Sequence, residues 1–186
     1  MRFQLVTPPT GEVVPLERIK SDLRIESTDF DADLRSWIAV AVEHLQDATR
    51  RQLLTATWRL LLDRFPREIK IWKAPVSSVT SIQYLDAAGT LQTLSSDAYV
   101  VSQGDEPKRI TLVDGYSWPT IRTDPDAVRV TFVAGYGTPA DVPEMARGLI
   151  KILVRNYYEK CLPEPEKVEP LMNRLRWSNG YETEVC

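Results

Sequence analysis

The chain has 186 residues, 43% of them hydrophobic, which is enough to bury a core as one large or two small domains. Its 23 Lys and Arg against 26 Asp and Glu give a formal net charge of −3, without the basic excess of a dedicated nucleic-acid binder, so tight sequence-specific DNA binding is disfavoured. No segment approaches the roughly 20 apolar residues of a membrane span, and the start MRFQLVTPPTG has no long apolar run behind a basic residue, so the protein is expected to stay in the cytoplasm where it is made.

In chain order, apolar residues first recur at helical spacing: Leu16, Ile19 and Leu23, then Leu34, Trp37, Ile38, Ala41, Leu45 and Ala48, so residues 1–54 read as a helical part. Ser27, Thr28 and Asp29 offer capping oxygens to the second helix, and Asp31 and Asp33 in its first turn suit the helix dipole. After Leu54 the period changes to two. Segments 55–62, 68–72, 79–85, 90–94, 99–101, 109–112 and 128–133 carry the β-branched and aromatic content of strands. Asp86-Ala87-Ala88-Gly89 supplies a hairpin turn. Together these predict a meander of six or seven strands across residues 55–134. The segment from Val113 to Pro125 is the longest expected loop, open to ordering by a partner.

Helices resume near Pro143, which suits a first turn, and continue to about Lys160. Met145, Leu149, Ile150, Ile152, Leu153, Val154, Tyr157 and Tyr158 cover most of that helix, which predicts burial on nearly all sides and, in so small a chain, burial shared with other copies. A last helix is expected from Glu166 to about Trp177. Residues 135–177 thus complete a helical bundle, and the polar stretch 178–186 reads as a flexible tail. The expected fold class is α+β, a helical bundle core with an inserted antiparallel β meander.

Catalysis needs a general base with an orienting partner, a nucleophile or a metal cluster. The single histidine, His44, lies on a helix without clustered ligands, and reads as a solvated side chain. Asp29, Asp31 and Asp33 alternate as in a calcium loop, but Leu34 stands where that loop requires glycine. Cys161 and Cys186 form no CxxC pair and no disulfide framework. No HExxH, GxSxG or Walker A sequence occurs.

One glycine motif remains. Gly135-Tyr136-Gly137-Thr138-Pro139-Ala140 fits the permissive G-x-G-x-x-G/A dinucleotide pattern. Pro139 removes an amide inside it, however, and the following residues are helical, so no second parallel strand completes a β-α-β unit. Gly135 and Gly137 read instead as a hinge that turns the chain sharply from the last strand toward the apolar helix. No catalytic, metal or cofactor site is expected.

The order of helix pair, β insertion and terminal helices resembles the head-to-tail connector, or head-completion adaptor, family of tailed phages in its version with a β insertion. Several phrases carry the resemblance: LERIKSDLRI (16–25), DFDADL (29–34), TRRQLLTATW (49–58), LDRFP (62–66), PVSSVTSIQYLD (75–86), SWP (117–119), AGYG (134–137), Val142-Pro143 and YYE (157–159). It spans residues 16–176, and the Pro- and Glu-rich stretch 161–170 departs from it. The resemblance implies a non-enzymatic virion protein made in the host bacterial cytoplasm. It further implies a homo-oligomeric ring beneath the portal protein, twelvefold where it matches the portal, that extends the DNA channel and docks the next tail or stopper protein. Double-stranded DNA would pass without sequence specificity, and a near-neutral to acidic chain suits a conduit that must not grip phosphates.

Trp37, Leu45, Leu149, Ile152, Leu153 and Tyr157 are the candidate subunit-interface residues; apolar helix faces also fill a subunit's own core, and the sequence leaves both uses open. Arg50, Arg51 and Arg147 are candidates for DNA contact or solvated helix positions. Two other readings stay in view: a structural or tail-completion adaptor that forms no ring, and a nucleotide-binding enzyme resting on the glycine motif alone.

Overall fold

The computed structural model describes residues 1–104, 106–159 and 165–175. The chain divides into two compact units, one of Met1–Thr10 and Thr55–Gly135, the other of Gly11–Leu54 and Tyr136–Cys186.

The first unit is built from β1 (Arg2–Thr7), β2 (Ala56–Leu62), β3 (Ile69–Ile71), β4 (Val76–Leu85), β5 (Leu91–Thr93), β6 (Tyr99–Val101), β7 (Lys108–Leu112) and β8 (Val128–Ala134). A five-stranded sheet has the order β1-β2-β8-β4-β5 and a three-stranded sheet the order β3-β7-β6. Every pairing is antiparallel. β8 shows why these residues form a strand: Val128, Val130, Phe132 and Ala134 are buried in strict alternation with half-buried neighbours, the period-two pattern of a pleated chain. It is also the central strand, with Phe132 set opposite Trp58 of β2 on one side and Val79 of β4 on the other. Ile69, Ile71 and Ile110 of the smaller sheet join Leu60, Ile82, Val130 and Phe132 in a shared core.

Two expectations are corrected here. Residues 1–54 are not uniformly helical, because Arg2–Thr7 is an edge strand, with Phe3 opposite Leu60 and Leu5 opposite Trp58. The strands are antiparallel as expected but not a sequential meander, since β8 inserts between β2 and β4 and three strands separate into a second sheet. Both departures come from non-local pairing, which leaves no mark on local periodicity. The β4–β5 hairpin forms as read: Asp86 Oδ1 accepts from the amides of Ala88 at 3.0 Å and Thr90 at 2.9 Å, with Gly89 at φ 82°.

The second unit contains α1 (Leu16–Leu23), α2 (Asp31–Thr49), α3 (Glu144–Tyr158) and α4 (Pro165–Leu175). Leu34, Ile38, Ala41, Leu45 and Thr49 put one face of α2 into the core, where they meet Ile19, Leu149, Ile150, Leu153 and Met172. α1 and α2 both end on an arginine in the left-handed conformation, Arg24 at φ 58° and Arg50 at φ 55°. The next amides, Ile25 and Arg51, reach back to the carbonyls of Lys20 at 2.9 Å and Gln46 at 3.1 Å, closing each helix with a six-residue loop.

The start of α2 differs from expectation. Phe30 is the N-cap and no side chain caps it. Ser27 and Asp29 bond to each other instead, at 2.5 Å from hydroxyl to carboxylate, while Asp31 receives Lys20 Nζ from α1 at 2.7 Å. The last helix covers Pro165–Leu175 with Pro170 inside it; Trp177, Cys161 and the 178–186 segment lie outside the described residues.

Candidate assembly surfaces

The glycine turn has the backbone that the sequence requires: Gly135 sits at φ 131° and Gly137 at φ 130°, values that side chains other than hydrogen rarely tolerate. The Gly135 amide donates to Pro75 O at 2.9 Å, and the next amide, Tyr136, donates to Leu53 O at 3.1 Å. Beyond it, Thr138 donates to Asp141 Oδ2 twice, from its amide at 2.8 Å and its hydroxyl at 2.7 Å. A Cβ on Gly137 would lie 2.6 Å from that same oxygen. The Thr138 hydroxyl, then its amide, hold the Asp141 carboxyl below the ordinary carboxylate range, so it is an anion at neutral pH. A phosphate entering this turn would meet a carboxylate already seated on its donors.

Other chemical candidates are dispersed. His44 is exposed on α2. Among the described residues, no three His, Cys, Asp or Glu side chains converge to hold a metal. Arg147 is engaged within the chain, donating from Nη1 to Pro139 O at 2.6 Å and from Nη2 to Glu144 Oε1 at 2.7 Å. Arg51 lies over the Tyr136 ring, 5.9 Å from its centroid, and Arg50 forms the left-handed end of α2.

The six candidate interface residues separate by burial. Leu45, Leu149 and Leu153 are sealed in the chain's own core and leave no surface for a second copy. Trp37 and Tyr157 are half-buried against the same core. Trp37 packs edge-on to Tyr158 at 6.2 Å, and Tyr158 in turn to Phe30 at 6.1 Å. Ile152 is 40% exposed, so α3 is amphipathic rather than apolar all round, and only its outward residues are left to share with another copy.

The six candidates leave out the other half of that outward surface. Met145, seven residues before Ile152 and on the same face, is exposed, as is Val40 on α2. The repeat of seven on α3 was a usable signal; nothing in the local pattern set Val40 apart from its buried neighbour Ala41.

A groove of about 430 Å³ runs between α1 and α3, lined by Ile19, Asp22, Leu23, Gly148, Lys151, Ile152 and Arg155. Asp22 is its electrostatic centre. Lys151 Nζ lies 2.8 Å from one carboxylate oxygen and Arg18 Nε 3.8 Å from the other. Arg155 Nη2 donates to the Asp22 carbonyl at 3.2 Å. The hydrogen bond from Lys151, then the positive charges of Lys151, Arg18 and Arg155, hold the Asp22 carboxyl below its ordinary range.

In the β unit, the expected loop is partly fastened. Trp118 stacks on Phe65 at 4.5 Å and 8° between planes. Ile121 bridges to Asp86, and the Arg122 amide donates to Leu85 O at 3.1 Å. Tyr116, at the loop's other end, is 53% exposed.

The α+β fold of this chain is shared with chains of gene transfer agent particles. It matches a chain in the neck of a native gene transfer agent particle computed with C12 symmetry, at TM-score 0.79 and 24% identity over 97% of this chain and 98% of that one. The same identity and coverage hold for a chain in the virion of the native particle, at TM-score 0.78, and for one in the neck of the empty particle computed with C6 symmetry, at TM-score 0.76. No protein-family model and no curated protein matches the sequence.

Proposed function

We propose that this chain is a non-enzymatic head-to-tail connector of a virion. It assembles as a ring on the portal, extends the DNA channel and offers its far side to the next tail or stopper protein. The observation that carries this reading is a fold shared over 97% of the chain with a component of a twelvefold-symmetric neck. The outward face of α3, where Met145 and Ile152 are exposed one above the other, is compatible with it as surface that another copy can cover. So is the net charge of −3, because each neutralised phosphate would add salt-dependent affinity that holds DNA in place.

The test is electron microscopy of the purified full chain incubated with portal-bearing, tail-less heads. Ring density under the portal is the expected result. Heads that stay bare at saturating protein would overturn the proposal, whereas a monomer in isolation would not, because the portal itself can template the ring.

A further inference from the structure

We infer that the groove between α1 and α3 receives the outer face of α2 from a neighbouring copy, centred on Val40, so that each chain carries both halves of one head-to-tail contact. The inference rests on the ring reading above and names the surfaces that would build it.

Three observations lead there. The first is apolar surplus in matching places: Val40 is 48% exposed on α2, and Ile152 and Met145 are 40% and 37% exposed on α3, while the remaining large apolar residues of both helices are buried or half-buried. The second is access. Gly148 lines the groove, and a Cβ built there would meet nothing within 4 Å, so an incoming side chain can approach the α3 backbone.

The third is charge. Arg18 and Lys151 face the Asp22 carboxylate and Arg155 bonds the Asp22 carbonyl, three positive charges around one negative side chain. The exposed continuation of the α2 face is acidic: Glu43 and Asp47 follow Val40 at three and seven residues, on one side of the helix. Ile152 and Arg155 share the spacing of Val40 and Glu43, a rise of about 4.5 Å at 1.5 Å per residue. With the two helices running in the same sense, Val40 against Ile152 sets Glu43 beside Arg155. The two patches differ, so the contact is heterologous, the kind that propagates around a closed ring rather than stopping at a dimer.

The full chain with Cys161 and Cys186 changed to serine provides the test. One preparation carries Val40→Cys, a second Ile152→Cys, and a third, as a control, Val100→Cys on the β unit. Under mild oxidation on portal-bearing heads, the first two mixed together are expected to give a disulfide-linked pair, and neither alone nor with the control. In parallel, Glu43→Arg and Arg155→Glu each should lower ring formation by about tenfold, and the two changes in one chain should restore it, with circular dichroism confirming that every variant is folded.

Rings that form without the 40–152 crosslink, or singles that the double variant does not rescue, would overturn this contact and leave the ring reading standing. Absence of any ring under the portal would overturn both.

Discussion

Asp22 Oδ2 lies 2.8 Å from Lys151 Nζ, a bond that fastens the short helix α1 to α3. The two side chains are 33% and 27% exposed, so the pair contributes modestly, on the order of 0.5–1 kcal/mol at neutral pH. Its pH dependence has a definite sign. The folded-state carboxyl is held below its ordinary range by the Lys151 hydrogen bond and by the neighbouring positive charges, so its stabilisation is present above the unfolded-state pKa and is lost as pH falls through the folded value. Asp22→Asn should therefore lower stability in urea at pH 7 and by a smaller amount at about pH 3, since the contribution fades as pH falls. An equal loss at both pH values would assign the effect to packing.

Burial divides α3 into two functions that substitution can separate. Leu149 is 1% exposed and Ile152 40% exposed. Leu149→Ala removes core volume and should cost about 2–5 kcal/mol. Ile152→Ala should change the isolated chain by less than about 0.5 kcal/mol yet impair ring formation on portal-bearing heads. Denaturant melts read the first quantity and electron microscopy the second. If Ile152→Ala destabilises the monomer as much as Leu149→Ala does, the outward residue is part of the core.

Helical and strand periodicity carried most of the fold into view, because burial on one face is a local property: the alternation of Val128, Val130 and Phe132 and the spacing of Leu34, Ile38, Ala41 and Leu45 are visible in the residues themselves. The strand Arg2–Thr7 was not visible, since its partner β2 lies some fifty residues away and its own pattern is short and mostly exposed. Strand order was equally hidden, because β8 pairs with both β2 and β4. For the surfaces, the sequence singled out apolar helix residues without separating those turned inward, such as Leu45 and Leu153, from Ile152. That division depends on which way each helix faces its neighbours, which only the packed chain fixes.

The glycine turn gives a prediction with opposite outcomes for a joint and a nucleotide site. Gly137 at φ 130° has Asp141 Oδ2 where its Cβ would go. Gly137→Ala should destabilise the chain by about 1–3 kcal/mol through backbone strain, and dinucleotides should leave the melting temperature of both wild type and variant unchanged. A rise in Tm with dinucleotide, in wild type only, would restore the phosphate-binding reading.

The stacked pair Phe65 and Trp118, 4.5 Å apart, is the clasp of the 113–125 loop. Behind it, the Arg122 amide bonds to Leu85 O at 3.1 Å and Ile121 bridges to Asp86, so loosening the clasp exposes backbone that is now paired. Trp118→Ala removes the stacking, about 0.5–1.5 kcal/mol beyond the lost burial, and should speed amide exchange at Arg122 while β8 stays protected. Protection of the loop is a local property if the aromatic pair sets it, and opening of such a segment has its own free energy below that of global unfolding. Unchanged exchange at Arg122 in the variant would mean that the bonds to Leu85 and Asp86 hold the loop without the stack. Should the exchange of β8 rise in step with it, the loop and sheet open as one unit, and the stack contributes to the stability of the whole β unit rather than to the loop alone.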